Sequence, residues 1–318
     1  MMHPTQGTAV TLSGLTRRFG DVVAVDALTF AVEQGELFGL VGPDGAGKTT
    51  TLRMLAGVLR PSAGDAHVFG HSVAADPEAV KHDIAYMSQR FGLYADLTVE
   101  ENLRFYADLY EVPRATRPSR LERLYRFSGL EPFRNRLAGQ LSGGMKQKLG
   151  LSCALIHQPR LLLLDEPTFG VDPISRRDLW LIVHEMVAEG VTVIVSTAYM
   201  DEAERFDRVA LLHEGRLVQL DRPDRLRALL EGRLLAVRSS VGPRLMRDAA
   251  LAQPAVQSAT AFGDRLHVVT STAVANAPAL QQGLRAAGFE DAHVEAIEPT
   301  MEDVFIDRIR AAGAEGAS

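Results

Sequence analysis

The sequence predicts an α/β fold: a mixed, mostly parallel sheet with an antiparallel β subdomain and a helical insertion, followed by a small α+β C-terminal domain. Continuous apolar runs at residues 37–41, 161–164 and 191–196 are typical of strands that are covered on both faces. Helical segments at residues 48–59 and 175–189 alternate with these runs. Strands that alternate with helices favour a parallel sheet with helices packed against it.

Shorter elements complete the predicted core, which we place at residues 1–231. Alternating apolar residues and turn signals predict short strands at 9–15, 22–25, 28–32, 68–69, 84–87, 209–212 and 217–220. Residues from about 90 to about 158 have a helical pattern punctuated by prolines, and this segment predicts an insertion into the sheet.

The C-terminal domain is predicted to cover residues 232–318. Strands are predicted at 234–238, 255–261, 265–270 and 293–297, with one helix at 279–287. Residues 311–318 form the C-terminal tail, which we expect to be disordered.

Composition excludes several classes of protein. The 318 residues are 46% apolar and 23% charged with a net charge of -6, which argues against a nucleic-acid partner. No apolar run approaches the ~18 residues that a membrane-spanning helix needs. Residues 1–8 lack the basic and apolar regions of a signal peptide, and Cys153 has no second cysteine to pair with. We therefore expect a cytoplasmic protein whose membrane role, if any, comes through a partner.

A glycine-rich loop between the strand at 37–41 and the following helix carries the most specific motif. It matches the P-loop pattern, and we assign ATP binding to Gly42, Pro43, Asp44, Gly45, Ala46, Gly47, Lys48, Thr49 and Thr50. Glycines let successive backbone N–H groups close around phosphate oxygens, and the helix start adds its positive dipole end. Lys48 would neutralise the β- and γ-phosphates, while the Thr49 hydroxyl would bind Mg²⁺. A loop that merely caps a helix is the alternative, and the preceding strand argues against it.

Two carboxylates, Asp165 and Glu166, follow directly after the apolar run at 161–164. A strand that ends in two acids can place one at a metal ion and the other beside an attacking water. We assign Asp165 to Mg²⁺, through a water, and Glu166 to general base catalysis. Taken alone, the pattern also fits a solvated strand end, but the P-loop upstream favours the catalytic assignment.

A third motif consists of Leu141, Ser142, Gly143 and Gly144, just before a helical segment that contains Gln147. Ser142 can cap this helix, and the glycines leave its first amides uncovered, which makes a second anion site. A simple helix cap is the alternative. Together with the P-loop and the two acids, the motif resembles the signature of the ABC (ATP-binding cassette) ATPases, over about residues 9–222.

The resemblance to the ABC ATPases implies further roles. In this family the two phosphate-binding surfaces meet head to tail between partners, so the signature residues would complete a second cassette's ATP site in trans: Ser142, Gly143, Gly144 and Gln147. Gln89 falls at the family's Q-loop and would contact Mg²⁺. Asp172 falls at its D-loop, and Phe19 matches the aromatic residue that stacks on adenine.

Other segments resemble one subfamily. Residues 91–97, 199–204 and 299–305 are similar to ATP-binding subunits of bacterial drug- and ion-exporting systems. This resemblance implies export, a transmembrane permease as partner, and a peripheral position on the inner face of the cell membrane.

Two positions depart from the family's pattern. Asp44 stands where an asparagine is usual, and we expect only modestly weaker ATP binding because the loop grips phosphate through its backbone. Ala198 stands where the family has its switch histidine, which holds the γ-phosphate and the catalytic glutamate in register. Loss of a positioned proton-handling group costs about 10²–10⁴-fold in rate. His184 and His213 lie too far along the chain to replace it locally.

These departures predict the degenerate half of an asymmetric cassette dimer. Its partner would be a second ABC cassette, on a different chain, with an intact switch histidine. A nucleotide-gated structural subunit with little hydrolysis of its own is one alternative. A soluble ABC ATPase of translation or DNA repair is another, but such proteins usually carry two cassettes, or a coiled-coil insertion plus basic arms.

Overall fold

The computed structural model describes residues 7–89, 92–271 and 277–315, with side chains to residue 312. The chain forms two compact units: Met1–Tyr199 with Phe206–Leu220, and Met200–Arg205 with Asp221–Ser318. We expected the boundary between residues 231 and 232. It lies earlier because a short helix at Pro223–Ala228 and a 3₁₀ helix at Met200–Arg205 both pack on the C-terminal helix.

The first unit contains two sheets and the helical insertion. Its strands are β1 (Thr8–Phe19), β2 (Val22–Glu33), β3 (Leu37–Val41), β4 (Ala63–Val68), β5 (His71–Ser72), β6 (Ile84–Met87), β7 (Leu161–Asp165), β8 (Thr192–Thr197), β9 (Arg208–His213) and β10 (Arg216–Asp221). Its helices are α1 (Lys48–Leu55), α2 (Pro77–Asp83), α3 (Val99–Leu109), α4 (Arg117–Ser128), α5 (Gly143–Leu155) and α6 (Pro173–Ala188).

A six-stranded sheet with the order β10–β9–β3–β8–β7–β6 forms the centre of this unit. The strands from β9 to β6 in this order run parallel, so their carboxyl ends share one edge. Every residue of β3, β7 and β8 is buried, as the apolar runs predict. In register, Val41 lies opposite Thr197, and Asp165 lies opposite Ser196. Three strand ends therefore bring the glycine-rich loop, Asp165 and Ala198 to the same edge.

The antiparallel subdomain is a four-stranded sheet with the order β2–β1–β4–β5. We predicted two separate strands at 22–25 and 28–32, but the structure merges them into β2, which is 12 residues long. A positive φ of 51° at Ala27 and register shifts against β1 absorb the interruption without ending the strand.

The helical insertion occupies the segment between β6 and β7. Thr98 caps α3: its side chain accepts from the Glu101 N–H, and the Glu101 carboxylate accepts from the Thr98 N–H. Helix α5 packs against α3, α4, α6 and β6. The insertion is thereby attached to the main sheet through the helix that follows Ser142.

The second unit is an α+β domain with an antiparallel sheet in the order β12–β13–β11–β14. Its strands are β11 (Leu234–Arg238), β12 (Val256–Phe262), β13 (Arg265–Thr270) and β14 (His293–Ala296); its helices are α7 (Pro223–Ala228), α8 (Pro243–Leu251), α9 (Ala277–Ala286) and α10 (Met301–Glu315). The sequence did not reveal α7, α8 or α10. Our expectation of disorder from residue 311 was wrong as far as Glu315, because α10 continues through these residues from an anchored start: Met301, Val304 and Phe305 are buried.

Candidate nucleotide-binding site

The loop between β3 and α1 is shaped by two glycines that no other residue can replace without a shift. A Cβ atom on Gly42 would lie 2.2 Å from the Leu212 carbonyl oxygen. Gly47 caps α1 with a φ of 96°, and a Cβ there would lie 2.6 Å from the Ala24 carbonyl oxygen. The loop can therefore present backbone N–H groups at the start of α1 without side chains in the way.

Lys48 contacts both this loop and the carboxylate of Glu166, the residue that follows β7. Its side chain is buried, and its Nζ donates to the carbonyl oxygens of Gly42 at 2.8 Å and Pro43 at 3.0 Å. The same Nζ lies 3.3 Å from Oε1 of Glu166. A buried ammonium group needs such partners, and phosphate oxygens can compete for it because charge-assisted hydrogen bonds are the stronger ones.

Asp165 is buried and accepts hydrogen bonds from three hydroxyl groups. Its Oδ1 accepts from Thr49 Oγ1 at 2.9 Å and from Ser196 Oγ at 2.7 Å, and its Oδ2 accepts from the Tyr86 hydroxyl at 3.1 Å. Burial, and after it the charge of Asp165, raises the pKa of Tyr86 to about 12, so the phenol stays protonated and donates. Sequence reasoning missed Tyr86 and Ser196. The signal for Ser196 is its place opposite Asp165 once β7 and β8 are aligned in parallel.

Glu166 adopts a backbone conformation that non-glycine residues rarely take, with a φ of 49°. Its N–H is held by the Ser196 carbonyl oxygen at 3.1 Å and the Ser196 Oγ at 3.0 Å. Its carboxylate, besides facing Lys48, accepts from Gln89 Nε2 at 3.2 Å. The structure thus brings Gln89 to Glu166, and our assignment of Gln89 to Mg²⁺ stays a prediction.

Thr49 and Asp165 fit the requirements of a magnesium ion. They offer a hydroxyl and a carboxylate oxygen 2.9 Å apart, and Mg²⁺ prefers oxygen ligands. Within the described residues no group of three or more His, Cys, Asp and Glu residues could hold a metal. Mg²⁺ usually takes one or two protein ligands and fills its shell with water and phosphate.

Two of the remaining predicted ATP contacts, Asp44 and Phe19, are exposed. Asp44 is exposed at the tip of the loop, so its carboxylate is solvated. Phe19 ends β1 with 47% of its side chain exposed, and the Arg17 guanidinium lies 4.6 Å from its ring centroid. An exposed ring of this kind can receive the flat face of a base.

The signature residues differ in their exposure to solvent. Ser142 and Gly143 are exposed, and the Ser142 side chain caps α5 by accepting from the Met145 N–H at 3.3 Å. Gly144 is buried: a Cβ there would lie 2.2 Å from Ser175, at the start of α6. The role of these residues in trans stays a prediction.

Asp172 caps α6, accepting from the N–H groups of Ile174 at 3.1 Å and Ser175 at 3.0 Å. The bond from the Ser175 N–H holds the pKa of Asp172 below its ordinary value. Gln147 is half-buried in α5. The residues that we assign to the D-loop and to the signature therefore lie side by side at the starts of α6 and α5.

Ala198 directly follows Thr197, whose carbonyl oxygen accepts from the Gly42 N–H at 3.2 Å at the start of the phosphate loop. His184 lies in α6, with its ring centroid 6.1 Å from that of Trp180. His213 ends β9, and the turn after it lies near the phosphate loop. The Gly215 N–H donates to the Ala46 carbonyl oxygen at 3.3 Å, because β9 lies beside β3. Gly215 and Ala46 are far apart in the sequence, so their proximity could not be predicted from it.

Two further sequence-based predictions concern the exporter-like segment and membrane-spanning helices. Phe91, the first residue of the exporter-like segment 91–97, lies outside the described residues. Across the ranges that the structure covers, no helix combines the length and apolar character needed to cross a membrane.

Known proteins are similar to this chain over most of its length. The family described as "ABC transporter" matches residues 25–169. The probable multidrug ABC transporter ATP-binding protein YbhF of Escherichia coli (strain K12) is 44% identical over 308 residues, 96% of this chain and 52% of YbhF. The daunorubicin resistance ATP-binding protein DrrA3 of Streptomyces coeruleorubidus is 33% identical over 302 residues, 94% of this chain and 95% of DrrA3. The chain therefore spans about half the length of YbhF and nearly all of DrrA3.

A solved structure of an ATP binding subunit of an ABC transporter superposes with a TM-score of 0.64 at 32% identity. The match covers 70% of this chain and 94% of that subunit. The chain belongs to the family of ABC transporter ATP-binding proteins.

Proposed function

We propose that the chain is the ATP-binding subunit of an ABC exporter, which binds ATP with Mg²⁺ and couples hydrolysis to transport by a membrane permease. The position of Lys48 carries this proposal, because its buried amine links two carbonyl groups of the phosphate loop to Glu166. The names of YbhF and DrrA3, a multidrug transporter protein and a drug resistance protein, support export. Binding to the permease would hold the chain at the inner face of the membrane.

In ATP hydrolysis, each side chain of the site would have one role. Phosphate oxygens would draw the Lys48 amine away from the Pro43 carbonyl group and from Glu166. Glu166, still held by Gln89, would then take a proton from the water whose oxygen attacks the γ-phosphorus, and the bond from that phosphorus to the β–γ bridging oxygen breaks to release ADP. Mg²⁺ bound by Thr49 and, through water, by Asp165 would neutralise part of the phosphate charge.

We further propose that this site is the slow one of a pair. The methyl group of Ala198 cannot hydrogen-bond to a γ-phosphate or to Glu166, so the group that would align them has to come from elsewhere or is missing. Exposed Ser142 and Gly143 are suited to complete the ATP site of a second cassette, whose own switch histidine would be intact. That second cassette lies either on another chain or on the same polypeptide.

A nucleotide-gated structural subunit is the second candidate, and Ala198 is the observation that favours it. In that case ATP binding alone would close the cassette pair, and the partner's site would perform the hydrolysis. Turnover of the pair with Glu166→Gln in this chain separates the two functions. A pair that keeps full turnover supports the structural subunit, and a pair that loses part of it supports hydrolysis here.

The assignment of the loop is tested by thermal unfolding with and without ATP and Mg²⁺. A ligand at about 100 times its Kd stabilises the native state by about 2.7 kcal/mol. We expect this shift in the wild type and in Lys81→Ala, a half-exposed lysine in α2 that pairs with Glu78. Lys48→Ala should show little shift. Equal shifts in the two lysine variants would overturn the assignment.

A further inference from the structure

A cavity of about 320 Å³ opens at the amino edge of the six-stranded sheet. Its walls come from α4, from the residues just before β7 and β8, and from Gln34 and Phe69 of the antiparallel subdomain. The phosphate loop and Asp165 lie at the opposite, carboxyl edge. The five residues of β7 separate the two edges by roughly 16 Å at about 3.3 Å per residue. The cavity is therefore distinct from the ATP site.

Positive charge is concentrated in this cavity although the chain as a whole is acidic, with a net charge of -6. Arg120, Arg123 and Arg160 line it, and among the described lining residues Glu189 is the one carboxylate. Arg123 pairs with Glu189, and Arg160 pairs with Asp83, which does not line the cavity, at 3.3 Å. With three arginines and one glutamate, the lining therefore has a net charge of +2.

Arg120 is the arginine with the most donor capacity left. The one hydrogen bond of its side chain within the described ranges goes to the Ile156 carbonyl oxygen at 2.9 Å, and no described carboxylate lies within ion-pair distance of the guanidinium group. A guanidinium group has five N–H donors in a planar fork that matches a carboxylate. A half-buried arginine in this state can bind an anion without first breaking an ion pair.

The other walls are apolar and aromatic. The Arg160 guanidinium lies 3.7 Å from the Phe69 ring centroid, and the Arg123 guanidinium lies 5.1 Å from that of Phe127. Stacking uses the faces of the guanidinium groups and leaves the in-plane N–H donors at their edges accessible. Leu124, Leu155 and Met186 add buried apolar surface. A bare inorganic anion would leave this surface unused.

We propose that the cavity binds a small organic anion, a carboxylate carried on an aromatic or aliphatic body. The carboxylate is bound at Arg120, and the body packs against Phe127 and Leu124. The volume falls within the range of about 300–1,000 Å³ that small-molecule sites occupy. Such a ligand contacts both the helical insertion and the main sheet, and it does not compete with ATP.

Calorimetric titration of the full chain with 2-naphthoate and with its neutral amide, 2-naphthamide, tests the charge requirement. We expect 2-naphthoate to bind at least tenfold more tightly than the amide. Arg120→Gln should weaken 2-naphthoate binding by about ten- to a hundredfold, since hydrogen bonds to charged groups are the strong ones. The matched control is Arg126→Gln, on the same helix but 77% exposed and outside the cavity, and it should bind like the wild type.

The place of binding is tested by NMR of methyl-labelled methionine. Met186 lines the cavity, whereas Met246 belongs to the core of the second unit. We expect 2-naphthoate to shift the Met186 signal, leave the Met246 signal in place, and stay bound in saturating ATP and Mg²⁺. Displacement by ATP would overturn the proposal, because it would place the probe at the nucleotide site. Equal affinity of Arg120→Gln and Arg126→Gln, or of the acid and the amide, would overturn it as well.

Discussion

The two glycines of the signature have different surroundings, and substituting each by alanine separates packing from function. A Cβ on Gly144 would lie 2.2 Å from both Cβ and Oγ of Ser175, far inside normal contact, whereas a Cβ on Gly143 would meet nothing within 4 Å. Forcing an extra carbon into a packed site costs about 1–3 kcal/mol. We therefore expect Gly144→Ala to lower the free energy of unfolding by this amount. Gly143→Ala should leave it unchanged, or raise it by up to about 1 kcal/mol through helix propensity.

Urea unfolding followed by circular dichroism measures both changes. If Gly144→Ala unfolds at the same urea concentration as the wild type, the packing of α5 on α6 described here is wrong. The same comparison selects the variant for a functional test: an acid at position 144 would damage the fold, whereas Gly143→Asp places a charge on an exposed surface.

Gly143→Asp should leave the ATP affinity of the isolated chain within about twofold of the wild type, because residues 42–50 are untouched. It should abolish ATP-dependent association with a second cassette, since the new carboxylate would face the partner's γ-phosphate. Calorimetry measures the affinity, and analytical ultracentrifugation in ATP measures the association. A loss of ATP affinity in the isolated chain would refute the assignment of the signature to a partner's site.

Other predictions concern buried groups. Tyr86→Phe removes a donor from buried Asp165, and urea unfolding should show a loss of about 1.5–3 kcal/mol, against under about 0.5 kcal/mol for Tyr94→Phe on an exposed ring. The folded-state pKa of Tyr86 is raised from about 10 to about 12, so stability should fall as pH rises through this window, and less steeply in Tyr86→Phe. Burial raises the pKa of the Cys153 thiol, so Ellman's reagent at pH 8 should modify it only after unfolding; rapid modification of the native chain would contradict its burial.

Much of the site could be predicted because its chemistry depends on residues that are close in the chain. The glycine-rich loop, Lys48 and Thr49 form one segment, and Asp165 and Glu166 follow one apolar strand. Local pattern and residue chemistry were sufficient there. The fully buried strands were also visible, since a strand covered on both faces has a continuous apolar sequence.

What could not be predicted depends on how strands align in space. Ser196 lies beside Asp165 only through the parallel register of β7 and β8, and Tyr86 reaches the same carboxylate from β6. The intrachain role of Gly144 depends on the start of α6, which lies nearly thirty residues later in the sequence. The turn after His213 is near the loop because β9 neighbours β3.

The errors in our predicted secondary structure also have local causes. Residues 22–32 form one strand because Ala27 takes a positive φ, which a pattern of alternation does not reveal. Residues 311–315 are mostly small, yet they continue a helix whose buried residues, such as Met301 and Phe305, lie at its start. Composition of a short tail is a weak guide when the helix before it is anchored.

The central proposal is that this chain binds ATP at its P-loop, Mg²⁺ and glutamate residues but hydrolyses it slowly because Ala198 stands at the position that we assign to the family's switch histidine. Steady-state ATP turnover of the wild type, Ala198→His and Ala198→His with Glu166→Gln tests it most directly. We predict slow turnover by the wild type and a higher kcat in Ala198→His with little change in ATP affinity, the pattern of an interaction made in the transition state. The added Glu166→Gln should remove the gain. Fast turnover by the wild type, or a gain that survives Glu166→Gln, would contradict the claim.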